Sequence, residues 1–216
     1  MAPSIHTIRI TLRDSNPPIW RRVAMPSNAT LGYLHQVIQI AMGWTDSHLH
    51  QFILEDKSRG IPDPKALAKL LREGRHEAWL AAQRSTRVFA PKVAPFGDSL
   101  EMDGEDEAGV ALADVCPKVK DRLMYEYDFG DSWEHTIEVQ KIEPPRRGVK
   151  YPICLAGKRA CPPEDCGGIW GYYRLLNVVN DPDHEEHADL SEWLGEGFDP
   201  DEFNIDEANQ QLAKMR

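Results

Sequence analysis

The sequence predicts an α+β fold: a mixed, mainly antiparallel sheet that opens with an N-terminal hairpin, carries one packed helix and ends in helices. Three observations predict it. Strand-type alternation fills the first 25 residues in two runs. The clearest strand pair lies mid-chain, from Arg122 to Ile142, around a Gly-Asp-Ser turn. After Gly168 the periodicity turns helical.

Residues 5–13 alternate, with Ile8, Ile10 and Leu12 on one face. Asn16-Pro-Pro18 breaks the run, and Ile19 to Met25 forms the second strand of the hairpin. Arg21 and Arg22 fall on opposite faces of that strand, so one is expected in solvent and the other paired with an acid. Thr30 caps a helix to about Met42, with Leu31, Leu34, His35, Ile38, Ala41 and Met42 at buried-face spacing and Gly43 just past its end. Leu49 to Glu55 reads as a strand. Asp63-Pro64 opens a helical stretch to about residue 84, and residues 86–110 have the composition of an irregular surface loop. Three C-terminal helices are expected over Trp170–Val179, about His187–Leu194, and Ile205–Met215, separated by Asp181-Pro182 and Asp199-Pro200. The order strand, strand, helix, strand suggests a β-grasp-like layout. One domain over 1–216 is expected, with a helical insertion and acidic loop at 60–110 and an acidic helical part at 169–216.

With 41% hydrophobic residues the chain can bury a core, yet no apolar run approaches the roughly 20 residues of a membrane span. No signal-peptide layout is present, so a cytoplasmic protein is expected. The net charge of −10 is uneven: residues 175–213 hold twelve acids and no Lys or Arg, leaving 23 acids against 25 bases elsewhere. Such acidity disfavours a nucleic-acid face and suits a solvated surface or docking of a basic protein partner on the C-terminal part.

Strand alternation sets His48 and His50 beside Phe52 and Leu54, and His135 beside Trp133, Ile137 and Val139. Three histidines thus point inward near Asp128 and Asp131, forming a candidate cluster for metal or acid–base chemistry. The plainer reading is that each imidazole bonds a buried carboxylate or a backbone carbonyl. Cys154, Cys161 and Cys166 surround a proline-stiffened loop and, with His135, make a candidate zinc set. Their spacing is wider than that of a zinc knuckle. Gly130-Asp-Ser-Trp133 with Asp181-x-x-His184 mimics a GDSL-type serine hydrolase, but Ser132 sits between two strands, where Gly, Asp and Ser serve a turn. Asp181-x-Asp183-x-Glu185 lacks the glycine of a calcium loop, and the acids beside Gly167-Gly168 oppose phosphate binding there.

The run Tyr125-Glu-Tyr-Asp-Phe-Gly-Asp-Ser-Trp-Glu-His135 is highly specific. It occurs with Pro18-Ile-Trp-Arg-Arg-Val23, Thr30-Leu-Gly-Tyr-Leu-His35, His48-Leu-His-Gln-Phe52, Ala160-Cys-Pro-Pro-Glu-Asp-Cys-Gly-Gly168 and Phe198-Asp-Pro-Asp-Glu-Phe203. Together these resemble the plasmid pRiA4b ORF-3-like family, also labelled the "TnpR"-type passenger of an IS1096 insertion element. The resemblance implies a bacterial accessory gene of plasmids and mobile elements. It implies no activity: nothing in the chain resembles a recombinase domain. Residues 60–95 depart from the family pattern as an insertion. The function expected first is a non-catalytic interaction module; the alternative is a metal-binding protein or metal-dependent enzyme built on the His/Asp cluster.

Overall fold

A computed structural model of the chain describes residues 3–55, 72, 86–92, 102–195 and 197–215. An N-terminal hairpin, β1 (Ile5–Leu12) and β2 (Trp20–Pro26), leads into helix α1 (Leu31–Met42). Strands β3 (His50–Glu55), β4 (Thr86–Ala90) and β5 (Glu105–Asp106) follow, then a 3-10 turn (Glu107–Gly109) and the short helix α2 (Leu112–Val115). Strands β6 (Arg122–Tyr127), β7 (Trp133–Glu143) and β8 (Ile153–Lys158) precede helices α3 (Gly168–Val179), α4 (His187–Leu194) and α5 (Ile205–Lys214).

The strands form one sheet in the order β5-β4-β3-β6-β7-β1-β2-β8. Every pairing is antiparallel except the short β4–β5 contact at one edge. The opening hairpin followed by a packed helix is the part shared with a β-grasp layout; the middle of the sheet is antiparallel throughout. Period-2 alternation gives each central strand one buried and one wetter face. On β6 and β7, Leu123, Tyr125, Tyr127, Trp133, Ile137 and Val139 are buried, while Glu126, Glu134, Thr136 and Glu138 are half-exposed. Ile8, Ile10 and Leu12 of β1 join the buried face, and α1 covers it with Leu31, Leu34, Val37, Ile38 and Ala41. Each such side chain removed from water contributes about 1.5–3 kcal/mol. The opposite face carries ion pairs such as Arg13–Glu134 and Arg122–Glu138, which add little in solvent.

The ends of α1 follow from its sequence. The Thr30 hydroxyl accepts the Tyr33 N–H at 3.2 Å, and Gly43 closes the helix at φ 99° with its N–H on the Gln39 carbonyl.

The described residues of 86–110 do not form one irregular loop: Thr86–Ala90 is a strand paired with β3, Phe89 and Ala90 are fully buried, and Glu107 is buried. Val88-Phe-Ala supplies the apolar side chains of this strand, which the surrounding prolines and acids obscured. No strand was expected between the β6–β7 pair and the C-terminal helices, where β8 lies. Neither arginine of β2 pairs with an acid among the described residues. Arg21 is the buried one, and its partners are backbone carbonyls, while Arg22 donates to Gln140. The helical stretch expected over about 63–84 lies outside the described residues. Among the described residues, no helix is long and apolar enough to cross a membrane.

Candidate functional site

Three segments meet at one end of the sheet: residues 44–48 before β3, the β6–β7 turn, and the loop 162–168 before α3. Trp44 starts the assembly. Its indole stacks on Tyr127 at 5.0 Å, and its Nε1–H donates to the Pro162 carbonyl at 3.0 Å. Glu164 then fastens the loop with both carboxylate oxygens. Oε2 accepts from the Thr45 hydroxyl (2.5 Å) and N–H (3.2 Å), and Oε1 accepts from the Tyr127 hydroxyl. Burial, then the Glu164 carboxylate, pushes the Tyr127 phenol above its usual range, so it stays a donor. A bond from Gly167 N–H to Asp131 Oδ2 at 3.1 Å ties the loop to the turn.

Into this clamp project His48, Asp128 and Asp165, whose ligand-type atoms all lie within 4.8 Å of one another. His48 Nε2 is 3.1 Å from Asp165 Oδ1 and 3.6 Å from Asp128 Oδ2. Ligands about 2.1 Å from a metal sit roughly 3.0 Å apart at right angles and 3.4 Å apart at the tetrahedral angle. The 3.1 Å separation falls within that spacing and the 3.6 Å one lies slightly beyond it. Asp128 is oriented by its other oxygen, which accepts the Gly130 N–H at 2.9 Å, leaving Oδ2 for the centre. His48 Nε2 is shielded from solvent, yet no contact to it has hydrogen-bond geometry. Both aspartates come from left-handed backbone, at φ 57° and 59°, a conformation Asp tolerates better than most residues. The site opens on one side: the Asp165 side chain is 72% exposed and that of Asp128 only 10%.

The structure separates the histidines that alternation grouped. Strand β3 begins at His50, so His48 lies in the preceding segment and escapes the core. His50 is buried, and its Nε2 lies 2.9 Å from Glu107 Oε2. His135 is fully buried, its Nδ1 on the Trp133 carbonyl at 2.9 Å and its Nε2 without a hydrogen-bond partner. Burial holds the His135 pKa down at about 4. Asp131 serves the loop tie. Of the expected cluster, His48 and Asp128 come together; His50, Asp131 and His135 stand elsewhere.

The cysteines with His135 do not converge as a metal site. Among the described residues, the convergent group is His48, Asp128 and Asp165. The positive charge of Arg21 is felt at Cys154, Cys161 and His135, which opposes a second cation among them. Burial raises the thiols of Cys154, Cys161 and Cys166, the last to about 12, which keeps them protonated. The hydrolase alternative also lacks its geometry: the Ser132 hydroxyl donates to Glu126 at 2.9 Å, while His184 accepts from the Glu186 N–H.

Sequence reasoning missed Asp165, because the acids beside Gly167 were weighed only as repelling phosphate. It also missed Glu107 and the role of His35, which passed as one more residue on the buried helix face.

Comparisons with known proteins agree with this architecture. A family model described as plasmid pRiA4b ORF-3-like protein matches residues 4–207. The uncharacterized protein y4hQ of Sinorhizobium fredii (strain NBRC 101917 / NGR234) is 32% identical over 216 residues, covering 100% of this chain and 94% of that protein. The crystal structure of MM3350, a protein of unknown function from Methanosarcina mazei Go1, is 33% identical with a TM-score of 0.75, over 96% of this chain and 98% of the other.

Proposed function

The chain belongs to the plasmid pRiA4b ORF-3-like family, and we propose that it is a divalent-metal-binding protein centred on His48, Asp128 and Asp165. One observation carries this reading: an imidazole nitrogen, shielded and lacking a hydrogen bond, lies at inter-ligand spacing from two carboxylate oxygens. The donor set is one nitrogen and two oxygens without thiolate. Such a set suits Zn²⁺, Mn²⁺ or Fe²⁺ and not Ca²⁺, which takes oxygen ligands. Three protein ligands leave coordination positions for water or a substrate oxygen on the exposed side. The competing arrangement is a protonated His48 held between two carboxylates.

Titration of chelator-treated protein with Zn²⁺, Mn²⁺, Mg²⁺ and Ca²⁺ by calorimetry decides between them. One equivalent of Zn²⁺ is expected to bind more tightly than Mn²⁺, with no Ca²⁺ response. His48→Ala and Asp128→Asn should each weaken binding at least about tenfold. A bare ion pair would give no saturable binding of any of the four.

A second reading, docking of a basic protein partner on the acidic C-terminal part, rests on exposed aromatics there: Trp170 on α3 is 83% exposed and Trp193 on α4 is 49% exposed. If that face docks a partner, Trp170→Ala and Trp193→Ala should abolish co-purification of the partner while leaving metal binding unchanged.

A further inference from the structure

The proposed metal centre borders a cleft between α3 and α4. Asp165 is the exposed member of its three residues: its side chain is 72% exposed, against 28% for His48 and 10% for Asp128. A further ligand to the ion therefore approaches from the Asp165 side. Asp165 also belongs to the wall of a cavity of about 230 Å³. Leu175 of α3 and Leu190 and Trp193 of α4 supply the apolar part of that wall, and Arg174 of α3 supplies its cation.

The surroundings restrict what fits. The volume lies below the roughly 300–1,000 Å³ of most small-molecule sites, so the ligand is short. Leu190 is half-buried and Trp193 is 49% exposed, so apolar surface there meets water. Arg174 is ion-paired with Glu186, so the cation of the cleft is already neutralised. At the centre, a neutral imidazole and two carboxylates balance a divalent ion, and its open positions take an oxygen donor. One negative charge can sit on the ion itself. A second would stand against Asp128 and Asp165.

We propose that a short aliphatic monocarboxylate binds here, with its carboxylate on the open positions of the metal and its hydrocarbon chain in the cleft against Leu175, Leu190 and Trp193. This rests on the metal-binding reading of His48, Asp128 and Asp165 and names the ligand class of that site.

Visible absorption of the Co²⁺-loaded full chain, titrated with acetate and with hexanoate, tests this, since the bands of Co²⁺ report the ligands in contact with it. Both carboxylates are expected to shift the bands saturably, hexanoate at least about tenfold more tightly than acetate, because its chain leaves water. Leu190→Ala combined with Trp193→Ala falls on a helix with no fully buried residue. The double variant should bring hexanoate to within about twofold of acetate while leaving the acetate and Co²⁺ affinities unchanged. Equal affinities for the two carboxylates, hexanoate binding without a band shift, or a double variant that keeps the preference would overturn the proposal and leave the metal reading intact. No uptake of Co²⁺ would overturn both.

Discussion

The imidazole of His35 lies flat on that of His50, with ring centroids 3.5 Å apart and planes 2° from parallel. Each ring turns its Nε2 to a different carboxylate: His35 to Asp46 at 2.8 Å, His50 to Glu107 at 2.9 Å. The Tyr125 hydroxyl, which accepts from Gln39 Nε2, has its proton free for His35 Nδ1 at 2.8 Å. Gln39 Oε1 in turn accepts the Asp46 N–H, so the network closes with His35 neutral. Burial, as the largest influence, and the neighbouring His50 both lower the His35 pKa.

Glu107 anchors the far end of this network from within the buried core. Glu107→Ala leaves the His50 donor without an acceptor and should cost about 2–4 kcal/mol. Glu107→Gln keeps an acceptor and should cost about 1 kcal/mol. Urea unfolding of the two variants checks this; equal losses would show that the carboxylate adds nothing to His50.

Acid should weaken the fold through His135. Folded, its imidazole titrates at about 4, against the usual 6.5, chiefly because burial penalises the cation. Between those values the unfolded chain binds the proton and the folded chain does not, so stability falls as pH falls. The contribution is complete above pH about 6.5 and lost by about 4, with a span of about 3 kcal/mol. His35, also lowered, acts in the same direction. Urea midpoints from pH 7 to 4 should fall less steeply for His135→Gln than for wild type; parallel slopes would contradict the assignment.

What the sequence made legible follows from how local each signal was. Thr30 and Gly43 announced both ends of α1, because caps are written in neighbouring residues. The alternation around Trp133 to Val139 located the buried face that holds His135. Asp165 reaches His48 from 117 positions away along the chain, and Glu107 reaches His50 across 57. No periodicity reports such pairings. Alternation also misplaced His48, because it was extended two residues beyond the strand's actual start at His50. One of Arg21 and Arg22 was expected to pair with an acid, yet the buried Arg21 gives its hydrogens to the carbonyl at the end of α1 and to two strand carbonyls.

The loop that delivers Asp165 depends on a close approach at Gly171. A Cβ there would lie 1.9 Å from the Cys166 carbonyl oxygen, with backbone and not a flexible side chain in the way. Gly171→Ala should therefore cost about 1–3 kcal/mol and also weaken metal binding, since the loop must move. Gly109→Ala meets nothing within 4 Å and serves as the control with little change. Thermal unfolding and metal titration of both variants test the link. Normal metal affinity in Gly171→Ala would separate the loop from the centre.

His48, Asp128 and Asp165 are proposed to hold one divalent cation. Anomalous diffraction at the zinc edge, from crystals of protein loaded with one equivalent of Zn²⁺, tests it most directly. A single strong peak is expected about 2.0–2.2 Å from His48 Nε2 and from one oxygen of each aspartate. A peak at the cysteines, or no peak while His48 stays between the two carboxylates, would contradict it.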